Sequence, residues 1–301
     1  MIKSFEEVLK IAKERGPKIV SVACAQDRDV LKAVDNAKQN GIVKAILVGD
    51  QAKIESIAKE ENIDLSGYEL IHIEDLAEAS LKAVELVSSG KAHMVMKGLV
   101  DTGIILKAVL NKEVGLRTGS VLSHVALFDV MNYPRLLLVT DAAMNIAPDL
   151  QQKKQIIENS LQVARGLDID LPKVGVICAK EKVNPKMPAT VDAGELVKMN
   201  ENGELTGCIV GGPFALDNAV SEEAAKLKGI DHPVAGKADI LMCPNIESGN
   251  ILYKTLGFLA NAKSAGVIVG AKAPIILTSR ADSEESKLNS IALGVLMAAK
   301  M

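Results

Sequence analysis

Apolar positions along the chain recur at two alternating spacings. Over residues 4–15, Phe5, Val8, Leu9, Ile11 and Ala12 fall at helical intervals, and Gly16 ends the run. Residues 19–24 then read as a strand. Residues 29–40 read as a helix with Val30, Leu31, Val34 and Ala37 inward, and residues 45–48 as the next strand. The alternation continues with a helix at 51–61, a strand at 70–73, a helix at 75–88 and a strand at 94–96 that closes in Lys97-Gly98. Asp101-Thr102-Gly103 opens a further helix carrying Lys107, and residues 111–119 form a polar exit. A repeated strand-helix-strand order predicts right-handed crossovers and parallel strands, hence an α/β fold.

Near residue 120 the texture changes. Two apolar runs, 121–130 and 136–140, are separated by Asn132-Tyr133-Pro134, a gap too short for a helical crossover but natural for a hairpin. A second α/β domain is expected to begin there. It continues with a helix at 150–165, a strand at 174–179, a loop at 181–188 and a helix at about 190–200. A strand at 208–210, closed by Gly211-Gly212-Pro213, is followed by a helix at 221–228 and a strand at 239–243. Residues 244–250 then open a helix carrying Lys254. A strand at 266–270 leads to another at 275–278, the polar turn Ser279-Arg280-Ala281-Asp282, and a long helix bearing Leu288, Ile291, Ala292, Val295 and Leu296. Asp282 and Glu285 stand in the order of an N-cap and its capping-box partner.

Composition narrows the partners. A chain of 301 residues suits one large or two medium domains, and 48% hydrophobic residues suffice for their cores. A net charge of −3, with 2% aromatic residues and no Trp, argues against nucleic acid. Glu6 and Glu7 stand where a secretory peptide would have its apolar core, and no stretch is long and apolar enough to span a bilayer. A cytoplasmic protein without a membrane partner is therefore expected. Cys24, Cys178, Cys208 and Cys243 lack Cys-x-x-Cys spacing, and His72, His93, His124 and His232 lack metal-ligand spacing. Buried reduced thiols and no metal site are the expectation.

Ligands in open α/β sheets gather at the carboxyl ends of strands. Here those ends contribute Lys97, Asp217, Asn245, Asn250, Lys254, Ser279, Arg280 and Asp282. An arginine beside a helix N-terminus offers a planar fork of donors to phosphate. Cations and hydrogen-bonding groups together suit holding a phosphate and stabilising charge on an acyl oxygen. Read singly, Arg280 fits a solvated surface charge as well, and Asp282 a plain helix cap. Three rival chemistries lack their parts. There is no Gly-x-x-x-x-Gly-Lys-[Ser/Thr] loop, no Gly-x-Ser-x-Gly elbow, and Ala25-Gln26-Asp27 replaces a Gly-x-Gly-x-x-Gly after the first strand.

Longer strings carry a resemblance. Ala25-Gln26-Asp27, residues 94–100 (MVMKGLV), 106–119 (LKAVLNKEVGLRTG), 123–126 (SHVA), 184–188 (NPKMP), 234–239 (VAGKAD), 244–250 (PNIESGN) and 277–283 (LTSRADS) resemble the phosphate butyryltransferases. The phosphate acetyltransferases are broader relatives that share the Ser-Arg turn. The resemblance implies a two-domain αβα fold like that of the isocitrate and isopropylmalate dehydrogenases, with an active-site cleft between domains. Residues 1–120 with 271–301 would form the first domain and residues 121–270 the second.

The resemblance also implies reversible transfer of an acyl group from butanoyl-CoA to inorganic phosphate, giving butanoyl phosphate and CoA. Coenzyme A thioester and phosphate are then substrates, with no permanently bound cofactor, and a homodimer or assembly of dimers is implied. Ser279 would stabilise the transition state and Arg280 hold the phosphate. In the acetyl-specific relatives the proposed base is an aspartate seven residues after that serine. Ser286 stands at this position, so Asp282 is expected as base, with Glu284 or Glu285 as alternatives. Lys107 replaces an arginine of the relatives, and Arg117 is the residue expected to contribute in its stead, a surface role being the alternative. Substrate contacts are expected from Lys97, Lys107, Arg117, Asp217, Asn245, Asn250 and Lys254. A transacylase preferring acetyl or branched-chain acyl-CoA, a dehydrogenase of the same fold and a non-enzymatic binding protein are the alternatives.

Overall fold

Strands covered on both faces need continuous apolar runs rather than alternation; the first four strands are paired in parallel, and the one at the end of their order, Glu69–His72, is the least buried. The computed structural model describes residues 1–278 and 282–301. In it α1 (Phe5–Arg15) leads into β1 (Lys18–Ala23), α2 (Arg28–Gln39), β2 (Val43–Gly49) and α3 (Gln51–Glu60). Then follow β3 (Glu69–His72), α4 (Leu76–Ser88), β4 (Met94–Lys97) and α5 (Thr102–Val109). β1 pairs with both β2 and β4, and β2 with β3, giving the order β3-β2-β1-β4. The helices start where they do because Asp27, Asp50 and Asp75 accept hydrogen bonds from N–H groups of the first turns of α2, α3 and α4. Each such cap stabilises its helix by about 1 kcal/mol. The chain leaves β1 toward β2 on one side while β4 lies on the other. The crevice between the ends of β1 and β4 is thus a topological switch point.

Residues 5–120 fall together in one compact unit. The chain divides into two compact units, Phe5–Ser120 with Ala265–Met301, and Met1–Ser4 with Val121–Ser264. Residues 1–4 join the second because Ile2 is buried and its N–H donates to the Leu167 carbonyl at 3.0 Å.

The second unit begins with the predicted hairpin. β5 (Ser123–Asp129) and β6 (Leu137–Thr140) pair antiparallel, with Val125 opposite Thr140 and Phe128 opposite Leu137. There follow α6 (Leu150–Gly166), β7 (Lys173–Ile177), α7 (Pro188–Glu201), β8 (Ile209–Phe214), α8 (Leu216–Val220) and α9 (Glu222–Leu227). β9 (Ile240–Met242), α10 (Ile246–Lys254) and a π-helical turn at Thr255–Leu259 complete it. Its strand order is β5-β6-β9-β7-β8, the last four being parallel.

Two expectations are corrected here. The strand expected at 208–210 does not close at Gly211-Gly212-Pro213 but runs through them to Phe214. β8 ends the order, where a proline's missing N–H leaves no ladder partner unpaired. The helix expected at 221–228 is two short helices meeting at Ser221, whose side chain accepts from the Ala224 N–H at 3.2 Å. The string at 234–239 proves architectural. Asp239 is buried, accepts from Lys173 N–H at 2.8 Å and pairs with Arg135 at 3.2 Å, fixing the start of β9.

β10 (Lys263–Val269) carries the chain back. β11 (Ile275–Ile276) then pairs antiparallel with β10 through Ile268 and Ile275, and parallel with β4. The strand expected at 275–278 is therefore two residues long. α11 (Glu284–Ala298) follows, and its N-cap is Ser283 rather than Asp282. Ser283 takes the extended backbone one residue nearer the helix, and its hydroxyl accepts from Ser286 N–H at 3.1 Å. α11 is buried on nearly every face, including Lys287, Asn289 and Ser290. Gly294 allows that closeness, since a Cβ there would stand 2.9 Å from Met94 Sδ.

Candidate active site

Lys97 ends β4 at the switch point of the first unit. Its side chain is buried, and Nζ donates to the carbonyls of Gly98 at 3.3 Å and Val100 at 3.0 Å. The chain turns sharply after it because the N–H groups of Gly98 and Leu99 each reach, at 2.8 Å, the carbonyls of Ala23 and Cys24. A Cβ at Gly98 would lie 2.3 Å from the Cys24 carbonyl oxygen, so this turn requires glycine. The neighbouring Ala25-Gln26-Asp27 string closes on itself. Gln26 accepts from Asp50 N–H at 3.3 Å, and Asp27 caps α2. These residues build the edge beside Lys97.

β11 runs parallel to β4 with Ile276 opposite Met96, so the chain beyond Ile276 leaves at the edge where Lys97 stands. Thr278 there is buried. Ser279 and Arg280, expected as catalytic, lie outside the described residues. Asp282, on the far side of that turn, is half-buried, and its backbone carbonyl accepts from Lys287 Nζ at 2.5 Å. Lys287 is 3% exposed and stands 3.7 Å from the Asp29 carboxylate, so it ties Asp282 to α2. Sequence reasoning missed Lys287. The available signal was its place four residues before Ile291, on the inward stripe of the helix.

Arg117 has an exposed side chain on a fixed backbone. It bridges to Ala271, with Leu116 accepting from Lys272 N–H at 2.8 Å and Thr118 donating to the Gly270 carbonyl at 2.5 Å. Lys107 is exposed on the last turn of α5.

In the second unit the ends of β6 and β9 meet. Asn245 is the N-cap of α10 and accepts from Ser248 N–H at 3.0 Å. Asn250, one turn on, donates to the Ala142 carbonyl at 3.1 Å, and Ile246 N–H donates to Ile146 at 3.0 Å. Gly249 permits this contact, for a Cβ there would stand 2.1 Å from the Asp141 carbonyl oxygen. The loop itself is organised by Asp141, which is 2% exposed. Its carboxylate accepts from the backbone N–H groups of Ala143, Met144 and Asn145 and from Asn145 Nδ2 at 2.6 Å. Neither Asp141 nor Asn145 was singled out from the sequence, although Asp141 directly follows a predicted strand.

Lys254 lies at the other end of α10, its ammonium 5.0 Å from the centre of the Tyr253 ring and 5.5 Å from that of Phe258. Tyr253 in turn meets His124 edge-on at 5.7 Å. Asn245 and Asn250 are thus joined through residues 141–146. Asp217 instead ion-pairs with Lys228 at 3.6 Å, and Lys228 also pairs with Glu181.

All four cysteines are free and buried. Burial pushes Cys178 and Cys208 up to about 11 and Cys243 to about 12, and it raises Cys24 as well. The thiols accordingly stay protonated through neutral pH. A chromogenic disulfide reagent at pH 7.5 is expected to label native protein negligibly and denatured protein fully. Rapid labelling of the native protein would contradict their burial. Among the described residues no helix is long and apolar enough to cross a membrane.

The architecture is a largely parallel α/β sheet with cations and amide groups at its strand ends. Comparison with known proteins makes the class specific. The family model described as Phosphate acetyl/butaryl transferase matches residues 4–80 and 74–295, and the chain belongs to this family of acyltransferases. The phosphate butyryltransferase of Clostridium acetobutylicum is 54% identical over 298 residues, covering 99% of each chain. The phosphate acetyltransferase of Thermotoga maritima is 47% identical over 294 residues, covering 98% of this chain and 99% of that one. Among solved structures, a branched-chain phosphotransacylase from Enterococcus faecalis V583 superposes with a TM-score of 0.83 at 36% identity, over 93% of this chain and 99% of that one. A 4-hydroxythreonine-4-phosphate dehydrogenase from Klebsiella pneumoniae shares the fold alone, with a TM-score of 0.51 at 13% identity over 93% and 99% of the two chains.

Proposed function

We propose that this chain moves a butanoyl group reversibly between coenzyme A and inorganic phosphate. What supports this reading most is the 54% identity, end to end, with a phosphate butyryltransferase, against 47% with a phosphate acetyltransferase. A branched acyl group is a second reading, favoured by the phosphotransacylase at 36% identity.

A phosphate oxygen attacks the thioester carbonyl, the carbon–sulfur bond breaks from the tetrahedral intermediate, and CoA leaves as thiolate. In reverse, a base takes the thiol proton and the thiolate attacks butanoyl phosphate. Both directions place negative charge on the former carbonyl oxygen, where one well-aimed donor contributes about 3 to 4 kcal/mol. Ser279 is proposed as that donor, Arg280 as the phosphate clamp and Asp282 as the base. The buried ammonium of Lys97 adds positive potential at the sheet edge where β11 ends. Lys107, Arg117, Asp217, Asn245, Asn250 and Lys254 are proposed to contact the substrates. The two units are proposed to be the two domains. The enzyme is further proposed to need no resident cofactor or metal, and to work in the cytoplasm as a homodimer or assembly of dimers.

The test is incubation with butanoyl-CoA, with and without phosphate. The expected result is thiol release that requires phosphate and matches the butanoyl phosphate formed. Release without phosphate would mark a hydrolase, and its absence under both conditions would remove the transacylase reading. Running acetyl-CoA and isobutanoyl-CoA alongside orders the acyl preferences, which one methylene changes by about 1 to 3 kcal/mol.

A further inference from the structure

The loop between β7 and α7 and the turn after α9 enclose an open hollow of 780 Å³, wholly within the second unit and of the size that small ligands occupy. Lys180, Lys182 and Lys228 stand on its rim with one carboxylate, Glu181, and Val183, Met187 and Ile230 form an apolar wall. Lys228 is already engaged by Glu181 and Asp217. Among the described residues, neither Lys180 nor Lys182 forms an ion pair. Two exposed cations beside an apolar wall therefore keep their charge available.

The hollow is held in shape before any ligand arrives. Thr190, fully buried, accepts from Asn184 N–H at 2.8 Å and shares its hydroxyl proton between the carbonyls of Asn184 at 3.2 Å and Met187 at 2.8 Å. Asn184 Oδ1 accepts from Lys186 N–H at 2.9 Å. The 14-residue helix α7 starts at this loop with Met187 at its N-cap, and no side chain caps it. Its first turn therefore presents the positive end of the helix dipole toward the loop.

We propose that this hollow receives the phosphorylated adenosine end of coenzyme A. The 3′-phosphate and diphosphate face Lys180, Lys182 and the start of α7, and the adenine lies against Val183 and Ile230. This assignment rests on the function proposed above. The apolar wall separates such a nucleotide from free phosphate, which can use only the cations. Val183, 54% exposed at present, gains cover from the base.

The test is calorimetric titration of the full-length protein with adenosine 3′,5′-bisphosphate, comparing wild type with Lys180→Ala/Lys182→Ala. Affinity is expected to fall by about tenfold or more in the variant, a change equal to about 1.4 kcal/mol. Lys180→Arg/Lys182→Arg is expected to restore it, and inorganic phosphate to compete only weakly. An unchanged affinity, with both proteins unfolding at the same temperature, overturns the assignment. The rate advantage of butanoyl-CoA over butanoyl-pantetheine, which lacks the nucleotide, narrows by the same factor in the alanine variant, and an unchanged advantage also overturns it. If the wild type turns over neither thioester, the proposed function fails while the nucleotide titration still decides the site.

Discussion

Replacing Arg280 with alanine is expected to lower phosphate-dependent thiol release from butanoyl-CoA by at least about a hundredfold. Removing one donor aimed at developing charge has effects of that size. Arg280 follows β11 in sequence, two residues beyond the buried Thr278, and β11 leaves the sheet at the edge where Lys97 ends β4. Lysine at 280 would keep the charge but not the two parallel donors, so Arg280→Lys is expected to recover only part of the loss. The effect should be larger in kcat/KM for phosphate than for the thioester. Turnover near that of the wild type in Arg280→Ala would take this residue out of the site.

The second large effect is expected from Asp141→Ala. One buried carboxylate accepts from three consecutive backbone N–H groups and the Asn145 amide, so its removal leaves four donors without their acceptor. Water can reach some of them, since Ala143 is exposed. A stability loss of about 3 kcal/mol in urea denaturation is the expected outcome. Because Asn250 and Ile246 bond to this loop through Ala142 and Ile146, activity per folded molecule should fall as well. A variant that is destabilised but fully active at low temperature would show that the loop supports the fold without shaping the site.

How legible these features were differed by element. The βαβ rhythm was plain because strands buried on both faces need unbroken apolar runs and each following helix opens on an aspartate cap, as at Asp27, Asp50 and Asp75. The hairpin at 123–140 was equally plain from its short, proline-containing gap. β8 was misjudged because glycine and proline usually end strands, and only its place at the end of the strand order makes Pro213 acceptable. Asp282 was taken for a cap because serine and aspartate serve equally, and the backbone of Ser283 decided between them.

Within the candidate site, Lys97, Asn245 and Asn250 stood out as polar groups at strand ends. Asp141 did not, because its work is done through backbone groups that no side-chain pattern records. Lys287 was hidden by its helix, where a charged residue on the inward face reads as an interruption rather than as the anchor of Asp282.

The burial of α11 on nearly all its faces sets an order of assembly. Residues 5–120 leave the ribosome first, yet β4 lacks its neighbour β11, and the faces of α1 and α2 that receive α11 stay open, until residues 265–301 have been made. Residues 121–264 hold β5 to β9 and α6 to α10 in one continuous stretch of chain. The first unit therefore cannot be completed until its last helix has been made.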